Sequence, residues 1–230
     1  MAELDKHMFG NIKGKFGKAV FRQRNGVNYI AQRPSSYTAP GGEEYQKRTG
    51  KFKITSKIAS VINSVPLLKE IWSLNTPKNL SVYNYLISKN YPAINDDRTT
   101  GLLKITPDSK IGVRLNTVQL TTDKLTVNLF PLTESSLIDP VVEKKVQIIS
   151  ILCLSSPLDP ALPGFEVVPF ISSAKVFDLD TAVAFEILIS TANESLIALY
   201  QNKSIHSTLI TYSENDTLIN YSSTFSYTLV

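Results

Sequence analysis

The chain has 230 residues, of which 43% are hydrophobic and 19% charged, with 24 Lys and Arg against 20 Asp and Glu. This composition is unlike that of a disordered chain, and the length allows one large or two small domains with a sizeable core. The sequence holds 1 cysteine, which excludes an intrachain disulfide and a cysteine-cluster metal site.

The start of the sequence does not resemble a secretory leader. Residues 1–6 carry mixed charge and Gly- and Lys-rich sequence follows them, whereas a leader needs an apolar run. The longest strongly apolar stretch, residues 146–154, is far shorter than the roughly 20 residues that cross a bilayer as a helix. We therefore expect no signal peptide, no membrane-spanning segment, no membrane partner and a cytoplasmic or virion location.

Charge is distributed unevenly along the chain. Residues 1–58 hold twelve basic and four acidic side chains, a net charge of +8 (12 − 4), whereas residues 59–230 carry −4 (12 − 16). A concentrated positive charge attracts a polyanion or an acidic protein surface. A simple solvated basic face is the other interpretation.

The clearest local pattern lies near the N-terminus. Residues 1–17 are rich in glycine and predict an arm, and two runs of β-forming residues follow it, Ala19–Arg24 and Val27–Gln32, separated by Asn25-Gly26. This dipeptide favours a type I′ turn, so the runs predict a β-hairpin that pairs Arg24 with Val27 and Phe21 with Ile30.

Both faces of this hairpin are chemically mixed. The pairing predicts Phe21 and Ile30 on one face and Arg22, Arg24 and Tyr29 on the other. Because an isolated hairpin is only marginally stable in water, we expect it to pack on the rest of the chain, on a neighbouring subunit or on a ligand.

The next segment changes to a helical period. Tyr45, Phe52, Ala59 and Ile62 recur near helical spacing and predict a basic amphipathic helix that Pro66 ends or kinks. A short helical turn over residues 67–72 and a second helix from Pro77 to about Ile87, with an apolar stripe of Leu80, Tyr83 and Ile87, are also predicted.

From about residue 102 the sequence is typical of β-structure. Short turn segments separate ten predicted strands: Leu102–Thr106, Lys110–Leu120, Lys124–Phe130, Lys144–Leu154, Phe165–Ile171, Val183–Ser190, Leu196–Tyr200, Ile205–Tyr212, Thr217–Tyr221 and Thr224–Leu229. Many short strands without crossover helices favour an antiparallel immunoglobulin-like β-sandwich. The predicted fold class is α+β, mainly β, with a basic arm and hairpin (1–40), a helical segment (41–95) and a β-sandwich domain (96–230).

Residue patterns of enzyme chemistry are not evident. His7 and His206 have no nearby catalytic partner pattern, although nucleophilic catalysis usually needs a positioned base. The segment Gly10 to Lys15 lacks the spacing and the hydroxyl residue of a phosphate-binding loop. We therefore expect no enzymatic activity, no catalytic or metal-ligating residues and no cofactor.

The N-terminal third holds a series of motif residues in a fixed order: Gly10, Gly14, Lys15, Gly17 and Val20, then Arg33-Pro34, then Gln46, Arg48 and Phe52. This order of segments resembles an uncharacterised family of roughly 200-residue Bacteroidota proteins. The resemblance implies a β-rich C-terminal half, and because the family has no established activity it implies no function.

Three functions remain open at this point, of which the least favoured is carbohydrate or small-ligand binding by the β-sandwich. The first is a structural or assembly protein, such as a virion or phage-like component, whose basic arm contacts neighbouring subunits or a second copy of the chain. The second is nucleic-acid binding, with cations on phosphates and aromatic rings stacked on bases. The candidate contact residues for these two are Lys13, Lys15, Phe16, Lys18, Phe21, Arg22, Arg24, Tyr29, Arg33, Lys47, Arg48 and Lys51.

Overall fold

The computed structural model describes residues 2–4, 14–24, 27–32, 36, 41–95 and 98–229. The chain divides into two compact units, Met1–Gln46 and Lys47–Val230. The finer division into segments at residues 40 and 95 stays a prediction.

The first unit holds a four-stranded antiparallel sheet. Its strands are β1 (Ala2–Leu4), β2 (Gly14–Phe16), β3 (Ala19–Arg24) and β4 (Val27–Gln32), in the order β1-β4-β3-β2. Strands β3 and β4 pair Arg24 with Val27 and Phe21 with Ile30, which confirms the predicted register. Part of the predicted arm is instead β-strand, because β1 and β2 extend the hairpin on both sides.

Three helices follow the sheet in the chain. They are α1 (Glu43–Ser64), α2 (Pro66–Asn75) and α3 (Val82–Asn90), followed by a 3-10 turn at Tyr91–Ala93. As predicted, Pro66 separates the first two helices, since proline fits the first turn of a helix and not its interior. The prediction that the third helix begins at Pro77 is wrong, because Ser81 accepts a hydrogen bond from the Asn84 amide and caps the helix there.

The rest of the second unit is dominated by antiparallel strands. In chain order they are β5 (Ile94–Asn95), β6 (Arg98–Thr99), β7 (Leu115–Leu120), β8 (Lys124–Leu129), β9 (Lys145–Pro157), β10 (Phe165–Ile171), β11 (Lys175–Val176), β12 (Val183–Leu188), β13 (Tyr200–Tyr212), β14 (Leu218–Tyr221) and β15 (Phe225–Leu229), with helix α4 (Thr191–Ala198) before β13 and a 3-10 turn at Glu134–Ser136. Strands β9 to β11 and β13 to β15 form a six-stranded sheet, and β12-β8-β7 form a three-stranded one.

Two hydrophobic cores lie on opposite faces of the six-stranded sheet. One core joins it to the three-stranded sheet and includes Leu152, Leu209 and Phe185. The other joins it to helices α1 to α3 and includes Ile58, Trp72 and Ile151. The second unit is therefore three layers deep, because a long buried strand such as β9 offers an apolar face to each side.

Two predicted strands are wrong. Residues 102–106 form no strand, because their backbone groups bond to side chains instead: Asn90 Oδ1 accepts from the Lys104 amide, and Trp72 Nε1 donates to the Ile105 carbonyl. Residues 196–198, at the start of the predicted strand Leu196–Tyr200, belong instead to helix α4, which Ser190 caps by accepting from the Asn193 amide. A short apolar run does not by its period distinguish a strand from a helix.

None of the helices that the structure describes combines the length and the apolar character needed to cross a membrane.

Candidate functional site

The predicted contact residues of the first unit are described only in part. Lys13 and Arg33 lie outside the described residues, and Lys15, Phe16 and Arg24 are described as strand positions without their side chains. Of the others, Lys18 and Arg22 are exposed and Phe21 and Tyr29 are half-buried.

The four-stranded sheet keeps its apolar side chains partly open to solvent. The register places Phe21 opposite Ile30 on one face and Arg22 opposite Tyr29 on the other, as the hairpin analysis predicts. Phe21 and Ile30 are only half-buried, whereas Asn28, at 4% exposed, is the one buried residue among those of this sheet whose burial is described. Among the sheet residues whose burial is described, no apolar side chain is fully buried.

Four of the five basic residues of helix α1 fall into two groups. Lys47 and Arg48 are exposed on the first turns of the helix, and Phe52 beside them is 52% exposed. Lys51 Nζ lies 4.7 Å from the centroid of the Tyr91 ring, and Lys57 Nζ lies 2.5 Å from Glu166 Oε1. Lys51 and Lys57 thus bind the helix to other residues of its own unit. Lys47 and Arg48 form the outward group, which is exposed. Phe52 is expected at helical spacing with Ala59 and Ile62, and unlike them it is not buried, because the buried residues of this helix begin only at Ile54.

A second site was missed by the sequence analysis. His206 of β13 is 1% exposed, and three hydroxyl groups surround its imidazole. Its Nδ1 lies 2.8 Å from Ser226 Oγ, and its Nε2 lies 3.0 Å from Thr99 Oγ1 and 3.4 Å from Ser204 Oγ. No pattern along the sequence indicates these contacts, because Ser226 reaches His206 through strand pairing and Thr99 reaches it through the packing of β6.

Burial controls the protonation of this cluster. It lowers the pKa of His206 from 6.5 to about 4, so the imidazole is neutral at pH 7 and uses one nitrogen as donor and the other as acceptor. Burial also raises the pKa of the nearby Cys153 thiol to about 12, although a hydrogen bond with Thr99 opposes the shift. A general base works best with a pKa near the working pH and a nucleophilic cysteine needs its thiolate, so the cluster has the properties of a fixed polar network.

The polar network continues along the same face of the sheet. Thr106 Oγ1 lies 2.9 Å from the Ser222 carbonyl oxygen and 3.4 Å from Thr208 Oγ1, and Thr224 Oγ1 accepts from the Ile105 amide at 2.9 Å. Hydroxyl groups thus hold residues 99–106 against β13 and the turn before β15. No group of three or more His, Cys, Asp or Glu side chains suited to a metal occurs within the described ranges.

Comparison with known proteins adds no relative. No protein-family model matches the chain, and no curated protein matches it. The resemblance to the Bacteroidota family therefore stays a prediction.

Proposed function

We propose that the protein is a non-enzymatic structural or assembly protein whose first unit is completed by a neighbouring copy of the chain. The observation that carries this proposal is the half-buried state of Phe21 and Ile30 in a sheet whose described residues bury only Asn28. A small sheet needs an apolar face packed against something to be stable on its own.

The edges of the sheet support the same function. Strands β1 and β2 are the outer strands, and an outer strand offers backbone groups on which another chain can add a strand. Strand addition would extend the sheet from one subunit to the next. We therefore assign the partner contact to the Phe21 and Ile30 face and to these edges.

We also propose that the six-stranded and three-stranded sheets form an immunoglobulin-like sandwich that serves as the rigid body of each subunit. The support is that two antiparallel sheets enclose one core. A virion, a phage-like particle or another cytoplasmic assembly fits such a subunit.

The test is the mass in solution, measured by light scattering on a sizing column. We expect the full chain to form an oligomer and the double variant Phe21→Asp, Ile30→Asp to be a monomer, because two carboxylates cannot be buried unpaired in an interface. The matched control is Leu188→Asp, which places a carboxylate at an apolar position that is already 82% exposed. A monomeric full chain, or a double variant of unchanged mass, would contradict the proposal.

Nucleic-acid binding is the second candidate, and the outward group on helix α1 favours it. Lys47 and Arg48 are exposed and would contact phosphates. Each contact should steepen the decline of log affinity with log salt by about 0.7 to 0.9. Arg48→Gln should therefore make this decline less steep. Its control is Lys78→Gln, which removes a charge outside the basic residues 1–58 and should leave the decline unchanged. A salt-independent affinity would exclude this function, and absorbance at 260 nm on the same column peak reports nucleic acid carried through purification.

A further inference from the structure

A cavity of about 240 Å³ lies beside the histidine cluster and is partly open to solvent. Its wall includes Thr99, Ser155, Asn202, Ser204 and Thr228, which carry hydroxyl or amide groups, and the aromatic ring residue Phe165. At about 30 Å³ for each water in the liquid, the cavity has room for about eight water molecules. This is smaller than the pockets that hold drug-sized ligands.

Strand register explains why these residues share one wall. Ser155 of β9 pairs with Asn202 of β13 on one side and with Phe165 of β10 on the other. Two residues further along, Ser204 pairs with Thr228 of β15. Directly paired residues project to the same face of a sheet. The paired residues therefore form one wall of the cavity, which is polar on the side of β15 and aromatic on the side of β10.

Several polar atoms of the cavity wall have hydrogen-bonding capacity to spare. Asn202 Nδ2 donates to Ser156 Oγ at 2.5 Å. Asn202 Oδ1, Ser155 Oγ and Thr228 Oγ1 form no hydrogen bond with another described residue. In contrast, Thr99 Oγ1 and Ser204 Oγ lie 2.7 Å apart and both lie near His206. The three groups with spare hydrogen-bonding capacity are therefore oxygen atoms of strand residues. The hydrogen bonds around His206 fix the neighbouring side chains of Thr99 and Ser204.

The chemistry of the spare groups selects a class of ligand. Asn202 Oδ1 only accepts hydrogen bonds, whereas the Ser155 and Thr228 hydroxyl groups both donate and accept. A ligand hydroxyl also does both and matches all three groups, whereas an anion cannot donate to Asn202 Oδ1. Lys203 also borders the cavity, but it pairs with Leu154 and Leu229, which pack in the core between the sheets, so its side chain lies on the opposite face. Arg98 is an exposed cation at the cavity, and phosphate is for that reason the competing ligand in the test.

We propose that this cavity binds a small, neutral, polyhydroxylated ligand of monosaccharide size. Its hydroxyl groups bond to Asn202, Ser155 and Thr228, and its C–H face lies against Phe165. The neutral His206 holds Thr99 and Ser204 in place without adding a charge. This site lies wholly in the second unit and does not depend on the assembly function proposed above.

The test is saturation-transfer NMR on the full chain with D-glucose, D-galactose and D-mannose as probes. Saturation transfer to at least one of these sugars is expected. Thr228→Val should weaken its binding about fivefold, which is the effect of one lost hydrogen bond. The matched control is Tyr227→Phe, which removes one hydroxyl from the same strand at a residue that pairs with Ile205, on the other face, and it should leave the affinity unchanged.

Three results would overturn the proposal. The first is no saturation transfer to any of the three sugars. The second is an affinity that neither Thr228→Val nor Asn202→Leu reduces, with circular dichroism confirming that each variant is folded. The third is binding of inorganic phosphate, seen by phosphorus NMR, without binding of a sugar.

Discussion

The two units of this protein differ in how their apolar side chains are buried. In the second unit, long strands such as β9 bury side chains on both faces, and Ile148, Ile149, Ile151 and Leu152 are fully or almost fully buried. In the first unit, Phe21 and Ile30 share a face and remain half-buried. Since burial of apolar surface is the dominant favourable term in folding, we propose that the second unit is stable by itself and that the first unit needs a partner.

The largest effect is expected at Trp72. It is 1% exposed, its Nε1 donates to the Ile105 carbonyl at 2.8 Å, and its ring meets Tyr85 edge-on at 5.7 Å. Trp72→Ala should lower the free energy of unfolding by about 3 to 5 kcal/mol, through lost contacts and a cavity. Urea unfolding followed by circular dichroism measures this, and Trp72→Phe should lose clearly less. A loss under about 1 kcal/mol for Trp72→Ala would show that the helical layer contributes little.

A pH-dependent effect of about 3 kcal/mol is expected from His206. Its pKa is about 4 in the folded protein against 6.5 ordinarily, so between these values the unfolded chain binds more protons than the folded one. The free energy of unfolding is therefore highest above pH 6.5, and it decreases as the pH falls toward about 4. Urea unfolding across this range measures it.

The control for this titration is His206→Gln, which should remove most of the pH dependence between about 6.5 and 4. An unchanged pH dependence in that variant would show that other groups cause it.

A smaller effect is expected from the hydroxyl network. Thr106 is buried and its Oγ1 donates to the Ser222 carbonyl, which Thr208 Oγ1 also contacts at 2.8 Å. Because this carbonyl keeps one partner, Thr106→Val should cost only about 1 to 2 kcal/mol. The control is Thr217→Val, at an exposed position, and equal losses for the two would contradict a specific role of the network.

The smallest effect is expected in the first unit. Phe21→Ala removes a half-buried side chain and should change the unfolding free energy of the second unit by less than about 0.5 kcal/mol. Thermal unfolding of the dilute protein measures this. A loss as large as that of Trp72→Ala would mean that the two units share one folding transition.

The comparison also shows what the sequence could and could not predict. The hairpin register is correct because Asn25-Gly26 sets it locally, and β10 lies where its β-branched and aromatic run predicts it. Residues 102–106 are also mostly apolar but form no strand, because Asn90, Trp72 and Thr224 satisfy their backbone groups from other parts of the chain.

The histidine cluster could not be predicted for a related reason. Thr99 lies 107 residues before His206, and its position follows from the packing of the β5–β6 hairpin and not from any spacing along the chain. The cavity wall has the same origin, since Ser155, Asn202 and Thr228 come together only through the register of three strands.

The most direct test of the difference between the units is amide hydrogen exchange of the full chain at low and high protein concentration. Strands β9 and β13 should be strongly protected at both concentrations, because their hydrogen bonds are buried in the second unit. Strands β3 and β4 should exchange fast in the dilute sample and become protected in the concentrated one, as neighbouring copies cover the Phe21 and Ile30 face. Equal and strong protection of β3 and β4 at both concentrations would contradict the account, because the sheet would then be stable without a partner.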